Sequence, residues 1–406
     1  MTNDRAMMNC LSFRGWSVVL AVLVMAGTAP ADAQIYNLPR PDTADVSSFG
    51  VSVAIDGDYA VVGASAEDEC GMNSGAAYVY EQDGRTGSWQ RVTRLTPSTC
   101  RANAFFGERV DVSGERIIVS ASSEFFASEK SNAAYVYERD TSGTWRETAR
   151  LTGIVGEEEG LFASGVALDG DRAAVTTSGN MDGAYGGTVY VFEYDGEADL
   201  WRRTARLRAS RDTETGVLGG TVSLDGNTLA VAASTYFQNR PGSVYVFGYN
   251  PATETWSERA LLPGINDFFI SLDLHRSRLI VGESRAGDNA SGEATLYAAG
   301  DGGTWTQVHR LRPSTPYESG AFGSTVSLRD EWALITGYDE QLGQDFNIDR
   351  VVYVYKQGED GSWAQRSIID IGEVAFGASI DQDASTAIIS SVPENEPGSV
   401  YVVQLQ

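Results

Sequence analysis

The chain has 406 residues, of which 55 are acidic and 30 are basic, so its formal net charge at pH 7 is −25. A surface with this charge repels nucleic acids and the headgroups of anionic lipids, so no nucleic-acid partner is expected. The charge serves either solubility or the attraction of cations and basic partners. The length is ample for an independently folding core.

Residues 1–33 are predicted to form a secretory signal peptide. Arg5 and Arg14 supply positive charge, residues 16–25 form an apolar run, and Ala-Asp-Ala at residues 31–33 forms a small-residue cleavage site. The apolar run is too short to span a membrane. We therefore expect an exported protein, either secreted or periplasmic, that does not insert into the membrane. Residues 34–406 are expected to form one domain.

A repeated unit begins at residue 47. Residues 47–65, SSFGVSVAIDGDYAVVGAS, are interpreted as two strands joined by a tight turn at Asp56-Gly57, because an Asp-Gly pair between apolar strands is a strong hairpin signal. The unit recurs at intervals of 50 to 57 residues, and each copy opens with one large apolar residue: Phe49, Phe106, Phe162, Leu218, Phe268, Phe322 and Phe376. A period near 50 with strand-like units indicates a β-propeller.

Four strands, A to D, are predicted in the first repeat. Alternating large and small residues over 49–55 predict strand A, and the apolar run 59–64 predicts strand B, buried on both faces. Strands C and D follow at residues 76–81 and 89–95. Strand A is expected nearest the propeller axis, where blades crowd together and small residues are needed. Tyrosines in strand C and a tryptophan opening strand D recur along the chain, which predicts packing between blades.

The seventh repeat ends without a strand D, and the missing strand is predicted at the other end of the chain. Residues 35–39 resemble the strand D sequences, and Leu38 precedes Phe49 by 11 residues, as Leu95 precedes Phe106. We therefore predict an all-β, seven-bladed propeller of four-stranded blades, closed by the N-terminal strand. Residues 34–41 supply the outer strand of the last blade, and closure removes an open sheet edge.

The Phe-Gly pairs that open strand A, together with Val-Gly-Ala-Ser at residues 62–65, resemble FG-GAP repeats. These repeats build the propellers of integrin α-subunits and of many bacterial exported proteins, and the resemblance covers residues 47–406. It implies protein ligands on the face that carries the B–C and D–A loops, and calcium in acidic loops between strands A and B. The A–B links here, such as Asp56-Gly57 and Asp169-Gly170, are too tight for a calcium loop, so only the ligand face is expected to carry over.

The alternation of strand directions places the B–C and D–A loops on one face and the A–B and C–D loops on the opposite face. The first face carries the longer, more variable loops, so we expect a protein or glycan ligand there. The candidate ligand-face residues are Glu67, Asp68, Glu69, Glu157, Glu158, Glu159, Asp339 and Glu340. Cys70 and Cys100 lie in a B–C loop and the next D–A loop, so export would favour a disulfide between them over two free thiols.

The best metal candidate is the alternating set Asp345, Asn347 and Asp349, which resembles the start of a calcium-binding loop. Arg350 stands where such a loop carries glycine, and no bidentate glutamate follows at the required spacing. A solvated loop is therefore the favoured interpretation, and weak calcium binding is the alternative. No other cofactor is predicted.

The two histidines, His275 and His309, are interpreted as structural, in the A–B turn of the fifth repeat and in a strand D respectively. So few histidines support no Ser/His/Asp or Cys/His site, and the spacing singles out no carboxylate pair. We expect a monomeric binding, adhesion or scaffolding module without catalysis. The alternatives are a hydrolase or lyase using carboxylates or a metal near the channel mouth, and a purely structural surface protein. Inward-facing polar residues clustered at one mouth would favour the enzyme.

Overall fold

The computed structural model describes residues 34–41, 48–122, 132–154, 161–178, 187–210, 217–234, 241–265, 267, 270–339, 349–373, 375–393 and 397–406. The predicted signal peptide, residues 1–33, and the repeat anchor Phe268 lie outside the described residues. None of the helices within the described ranges is long and apolar enough to cross a membrane.

The regular elements within the described residues are strands, apart from two short 3-10 helices at Asp288–Ala290 and Asp301–Gly303. In chain order the strands are β1 (Ile35–Asn37), β2 (Phe49–Asp56), β3 (Tyr59–Ala64), β4 (Ala76–Gln82), β5 (Trp89–Leu95), β6 (Phe106–Ser113), β7 (Arg116–Ala121), β8 (Ala133–Arg139), β9 (Trp145–Leu151), β10 (Leu161–Asp169), β11 (Arg172–Ser178), β12 (Thr188–Asp195), β13 (Leu200–Leu207), β14 (Val217–Asp225), β15 (Thr228–Ser234), β16 (Gly242–Asn250), β17 (Thr255–Ile265), β18 (Ser271–His275), β19 (Arg278–Glu283), β20 (Glu293–Ala299), β21 (Trp305–Leu311), β22 (Val326–Arg329), β23 (Trp332–Asp339), β24 (Asp349–Gln357), β25 (Trp363–Ile369), β26 (Phe376–Asp383), β27 (Thr386–Ser391) and β28 (Ser399–Gln404).

These strands form seven antiparallel four-stranded sheets, which are the blades of a closed ring. Blade 1 consists of β2–β5, each following blade takes the next four strands, and β26, β27, β28 and β1 form blade 7. The first strand of each blade contacts the first strand of both neighbouring blades, so strand A lies innermost. The predicted all-β, seven-bladed propeller is confirmed.

The A–B hairpins are as tight as predicted, but the turn lies one residue later. Asp56 pairs with Tyr59 as the last residue of β2, so the two-residue loop is Gly57-Asp58 and not Asp56-Gly57. Gly57 takes a φ of +55°, a left-handed conformation that glycine adopts without a Cβ clash. All seven A–B hairpins fall within the described residues, and each has a two-residue loop.

The Phe-Gly pair at the start of strand A is explained by close contact between blades. Phe106 is fully buried and meets the ring of Tyr135 edge to face, with ring centroids 5.7 Å apart. Gly107 has a φ of +93°, and a Cβ on it would lie 2.2 Å from the carbonyl oxygen of Ala76 in the preceding blade. Glycine is required here because the backbones of adjacent blades touch.

The N-terminal strand completes blade 7, as predicted. β1 pairs antiparallel with β28, with Tyr36 opposite Val402, and the Leu38 amide donates to the Val400 carbonyl at 2.8 Å. Leu38 is only 1% exposed and belongs to the apolar cluster that joins blade 7 to blade 1. Tyr80 of blade 1 donates its hydroxyl to the carbonyl of Pro39 at 2.8 Å, so the same segment also contacts the next blade.

Candidate functional site

The disulfide between Cys70 and Cys100 fixes which loops share a face. Their Cα atoms are 5.9 Å apart. Cys70 lies in the loop between β3 and β4, and Cys100 lies in the loop between β5 and β6. A B–C loop and a D–A loop therefore emerge on the same face, as the strand directions predict. We call residues 65–75 and 96–105 the disulfide loop pair.

Backbone hydrogen bonds hold the disulfide loop pair in one conformation. The Gly75 amide donates to the Glu67 carbonyl at 2.9 Å and closes the first loop. The Asn103 amide donates to the Met72 carbonyl at 2.6 Å and joins the second loop to the first. The Asn73 amide also donates to Oδ1 of Asp68 at 2.7 Å. The pair therefore presents a pre-organised surface.

The tip of this surface combines one apolar side chain with acidic neighbours. Met72 is 60% exposed, the largest value among the exposed large hydrophobic residues of the described ranges. Asp68 and Glu69 are exposed beside it. An exposed methionine flanked by carboxylates is suited to a partner with an apolar pocket and a basic rim, because the flexible thioether fits irregular apolar surfaces.

Glu67 belongs to the interior of blade 1 and is not available to a ligand. It is 4% exposed, and its Oε2 accepts from Nη2 of Arg94 at 2.7 Å and from Nε at 3.1 Å. Its Oε1 accepts from the Tyr78 hydroxyl. Burial, followed by the Glu67 contact, raises the pKa of Tyr78 to about 12, so the phenol remains a donor. Arg94 also pairs with Glu69, which ties this exposed acid to the core.

Asp339 is buried in the same way in blade 6. It is 4% exposed, and its Oδ2 accepts from the Tyr353 hydroxyl at 3.3 Å. Asp349 begins β24 and pairs with Asp339 through the backbone. The remaining predicted ligand-face and metal residues lie outside the described residues: Glu157, Glu158, Glu159, Glu340, Asp345 and Asn347.

Sequence reasoning missed a cluster of ionisable side chains in the axial channel. Asp111, Asp273 and Asp381 occupy the same position of strand A in blades 2, 5 and 7, where the first repeat has Ala54. Each acts electrostatically on Arg329 of blade 6, although the four residues come from different sides of the ring. We call these four residues the axial cluster. The signal was visible in the sequence as aspartates at a position of strand A that otherwise carries alanine or serine.

Each carboxyl of the axial cluster is also an inter-blade hydrogen-bond acceptor. Asp111 Oδ2 accepts the Leu168 amide of blade 3 at 2.7 Å, and Asp273 Oδ2 accepts the Leu328 amide of blade 6 at 2.8 Å. Asp381 Oδ2 accepts the Ile55 amide of blade 1 at 2.9 Å. The carboxyls thus satisfy innermost backbone amides that the blades themselves leave unpaired.

Enclosure in the ring perturbs the titration of these groups. Burial, reinforced by Asp381, raises the pKa of Asp111 to about 8. Burial also raises the pKa of Asp381 to about 7, although Arg329 opposes this shift, and it raises the pKa of Asp273. All three side chains keep partial contact with channel solvent, which weakens these effects. Carboxyls with raised pKa values are typical both of proton donors and of buried structural acids.

His275 lies at the mouth of the channel beside the axial cluster. It is the last residue of β18 and not a turn residue, because the loop that follows is Arg276-Ser277. The side chain is 7% exposed, with Nε2 3.0 Å from Oδ1 of Asp330 and Nδ1 3.3 Å from Nη1 of Arg329. Among the described residues no group of three His, Cys, Asp or Glu side chains is arranged to hold a metal ion.

The free energy of unfolding should fall between about pH 4 and about pH 8. Asp111 and Asp381 keep protons in the folded state that they lose in the unfolded chain, where the carboxyl pKa is about 4. A raised folded pKa gives stability that is complete below the unfolded pKa and disappears as pH rises through the folded value. We expect a loss of about 1–3 kcal/mol after allowance for channel solvent.

Urea unfolding at several pH values measures this loss. Asp111→Asn should flatten the pH dependence, whereas Asp58→Asn, at an exposed loop position, should leave it unchanged. Equal slopes in the wild type and Asp111→Asn would contradict the assignment of the pH dependence to the channel.

Comparison with known proteins agrees with the repeats and the fold. A family model described as the FG-GAP repeat matches residues 34–80, 89–137 and 145–192. Each matched segment contains one strand D followed by strands A, B and C. No curated protein matches the sequence.

Several solved structures are similar at low identity. A "putative 6-phosphogluconolactonase" from Bacteroides uniformis is 12% identical, with 79% of this chain and 85% of that chain covered and a TM-score of 0.53. A protein from Lactobacillus plantarum is 14% identical, with 79% and 84% covered and a TM-score of 0.49. Saccharomyces cerevisiae Sqt1 is 10% identical, with 86% and 81% covered and a TM-score of 0.47. The similarity to the first of these structures, at 12% identity, concerns the fold alone.

Proposed function

Because the chain is an FG-GAP β-propeller protein, we propose that it is an exported binding or scaffolding module whose ligand docks on the B–C and D–A loop face. The observation that carries this proposal is the disulfide loop pair with Met72 exposed at its tip. A loop surface fixed before binding loses little conformational entropy when a partner docks, which favours affinity.

The chemistry of the tip favours a protein over a glycan. Met72 offers an apolar contact without an aromatic ring on which a sugar could stack, and Asp68 and Glu69 add negative charge. The net charge of −25 would speed encounter with a basic partner and make the association rate fall as salt is added. We therefore propose a protein ligand with an apolar pocket and a basic rim.

Met72→Asp should weaken capture of the ligand about tenfold, because an apolar anchor at the centre of an interface typically contributes at least 1–2 kcal/mol. Val92→Asp is the matched control, since Val92 is 44% exposed on strand β5, away from the loop face. The measurement is quantitative pull-down with the mature protein, followed by titration of the captured partner. Equal capture by both variants would mean that Met72 is not part of the binding surface. If the protein binds glycans on an array and captures no protein, the glycan alternative is favoured.

Export is a separate part of the proposal. The sequence predicts cleavage after Ala33, so the mature protein should begin at Gln34, which precedes the closing strand β1. Mass spectrometry of the native protein from the periplasm or the medium tests this directly. A cytoplasmic protein that retains residues 1–33 would contradict it.

The axial cluster favours a second candidate function, a hydrolase or lyase. A carboxyl with a raised pKa can act as a general acid, and the pKa values of Asp111 and Asp381 are raised. The binding module is preferred because each carboxyl already accepts a backbone amide from the next blade. Turnover of glycosides or esters that Asp381→Asn abolishes, without loss of the fold, would favour the enzyme.

Calcium is not expected to be required, because two-residue A–B loops leave no room for a coordinating loop. A calcium titration followed by thermal unfolding tests this, since saturation of each tight site would add about 2.7 kcal/mol at a hundredfold excess over Kd. One small rise in the unfolding temperature would indicate a weak site in the region of Asp349. Several tight sites would instead support calcium binding of the kind that the resemblance to integrins implies.

A further inference from the structure

Blades 2 and 3, and likewise blades 3 and 4, meet through the same clasp at the rim of the A–B and C–D face. Its members are the first residue of strand B in one blade and, in the next blade, the first tryptophan of strand D and the strand C residue that pairs with it. Between blades 2 and 3 these residues are Arg116, Tyr194 and Trp201. The Arg116 guanidinium carbon lies 4.4 Å from the Tyr194 ring centroid and 5.8 Å from that of Trp201. Nε of Arg116 donates to Glu138, its cross-strand partner, at 3.1 Å.

The clasp between blades 3 and 4 has the same composition. The guanidinium of Arg172 lies 4.4 Å from the ring centroid of Tyr249 and 5.3 Å from that of Trp256. Its cross-strand partner Glu193 accepts from Nε at 2.9 Å. In both clasps, therefore, a carboxylate neutralises the arginine and a phenol ring covers it.

Between blades 5 and 6 the arginine and the tryptophan are kept, but both of these partners are missing. Arg278 opens β19, and its cross-strand partner is Ala298 where the other two clasps have glutamate. Gln357 stands opposite Trp363 where the other clasps have tyrosine. The clasp between blades 5 and 6 therefore lacks the carboxylate and the tyrosine ring that contact the arginine in the other two clasps.

Arg278 is left without an ion pair. Within the part of the chain that the structure describes, no carboxylate oxygen lies within 4.0 Å of its guanidinium nitrogens. Nη1 donates to Oε1 of Gln357 at 2.9 Å, and Nη2 donates to the backbone carbonyl of Asp330. Burial lowers the pKa of Arg278. The Asp330 carboxylate opposes this shift from a distance, because its Oδ1 is paired with His275 and Arg276.

A cavity of about 470 Å³ occupies the place of the missing groups. Arg278 and Gln357 contribute its polar end, and Tyr297, Val308, His309 and Trp363 contribute to its walls. Asp360 also lines the cavity, and its Oδ1 accepts from the amide and the hydroxyl of Ser362 at 3.0 and 2.7 Å. Val308 is 46% exposed, so the cavity opens to solvent along an apolar wall. A mainly apolar cavity with a few polar groups at one end is typical of small-molecule sites.

We propose that this cavity binds a small aromatic carboxylic acid. The carboxylate takes the position on Arg278 that glutamate occupies in the other two clasps, and the aromatic ring takes the place of the tyrosine beside Trp363. Charge-assisted hydrogen bonds between guanidinium and carboxylate are strong and directional, which fixes the orientation of the ligand. The ring buries apolar area against Trp363, Tyr297 and Val308. This site lies on the face opposite the disulfide loop pair and does not depend on the ligand proposed there.

Isothermal titration with 4-hydroxyphenylacetate tests the proposal, and we expect a Kd of about 1 mM or tighter. Its neutral analogue 4-hydroxyphenylethanol should bind about tenfold more weakly, because it lacks the charge-assisted contact. Galacturonate tests the aromatic requirement, since it has a carboxylate without a flat ring. Equal binding of the neutral analogue would overturn the role of Arg278, and tighter binding of galacturonate would overturn the aromatic class.

Variants of the clasp separate binding in the cavity from binding elsewhere. Arg278→Gln should weaken 4-hydroxyphenylacetate about tenfold or more. The double variant Ala298→Glu, Gln357→Tyr restores the filled clasp and should abolish binding while the protein remains folded, as thermal unfolding would show. Arg172→Gln is the matched control, because its clasp is already filled, and it should bind as the wild type does. No binding by the wild type, or unchanged binding by the double variant, would overturn the proposal.

Discussion

Deleting residues 34–39 should lower the free energy of unfolding by about 5 kcal/mol. The deletion removes β1 from β28, and it removes Leu38, which is 1% exposed, from the cluster between blades 7 and 1. Loss of a buried leucine side chain costs about 2–5 kcal/mol, and each lost backbone hydrogen bond adds about 1 kcal/mol. Tyr80 also loses the Pro39 carbonyl that accepts its hydroxyl.

Urea unfolding of the mature protein and of the truncated form measures this effect. Leu38→Ala is the informative intermediate, because it removes the apolar contact and leaves the backbone pairing of β1 and β28 in place. We expect it to produce about half of the loss. The truncated protein should also self-associate at high concentration, since β28 becomes an exposed sheet edge. If the truncated form unfolds at the same urea concentration as the full chain, the closing strand does not stabilise the ring.

The architecture could be predicted because the repeat carries it redundantly. Seven anchors in phase define the blades, and the 11-residue interval from Leu38 to Phe49 identifies the closing strand before any contact is known. The exact position of the turn could not be predicted, because an Asp-Gly pair is compatible with two arrangements. The pair can form the whole two-residue loop, or the aspartate can end the strand while the glycine begins the loop. The structure resolves this ambiguity through the pairing of Asp56 with Tyr59. The same one-residue ambiguity explains why His275, predicted to lie in the turn, is the last residue of β18.

The candidate site was less predictable because it depends on contacts between distant residues. Glu67 has the sequence context of a solvated acidic loop, but Tyr78 and Arg94, 11 and 27 residues away, bind it inside blade 1. The axial aspartates are separated by whole blades, so their common position appears only once the strand A segments are aligned. The incomplete clasp at Arg278, which lacks the glutamate and the tyrosine, is likewise recognised only by comparison with the complete clasps at Arg116 and Arg172.

Removing the disulfide with Cys70→Ser, Cys100→Ser should lower the free energy of unfolding by about 3–4 kcal/mol. The two cysteines are separated by 30 residues, and the chain-entropy model assigns this value to a loop of that length. The lost stability should concern unfolding of the whole domain, because the segment that the disulfide closes contains β4 and β5, half of blade 1. The surrounding hydrogen bonds, such as that from Asn103 to the Met72 carbonyl, should keep the native loops folded.

Thiol counting on the unfolded, unreduced mature protein provides the first measurement, and no reactive thiol is expected. Urea unfolding of the oxidised wild type, the reduced wild type and the double serine variant provides the second. The two forms without the disulfide should agree with each other, which controls for any effect of serine itself. Two reactive thiols per chain, or equal stability of all three forms, would mean that blade 1 is held by packing alone. Met72 lies inside the loop that the disulfide closes. If the double serine variant loses more ligand affinity than the Val92→Asp variant does, the disulfide is further connected with the proposed binding face.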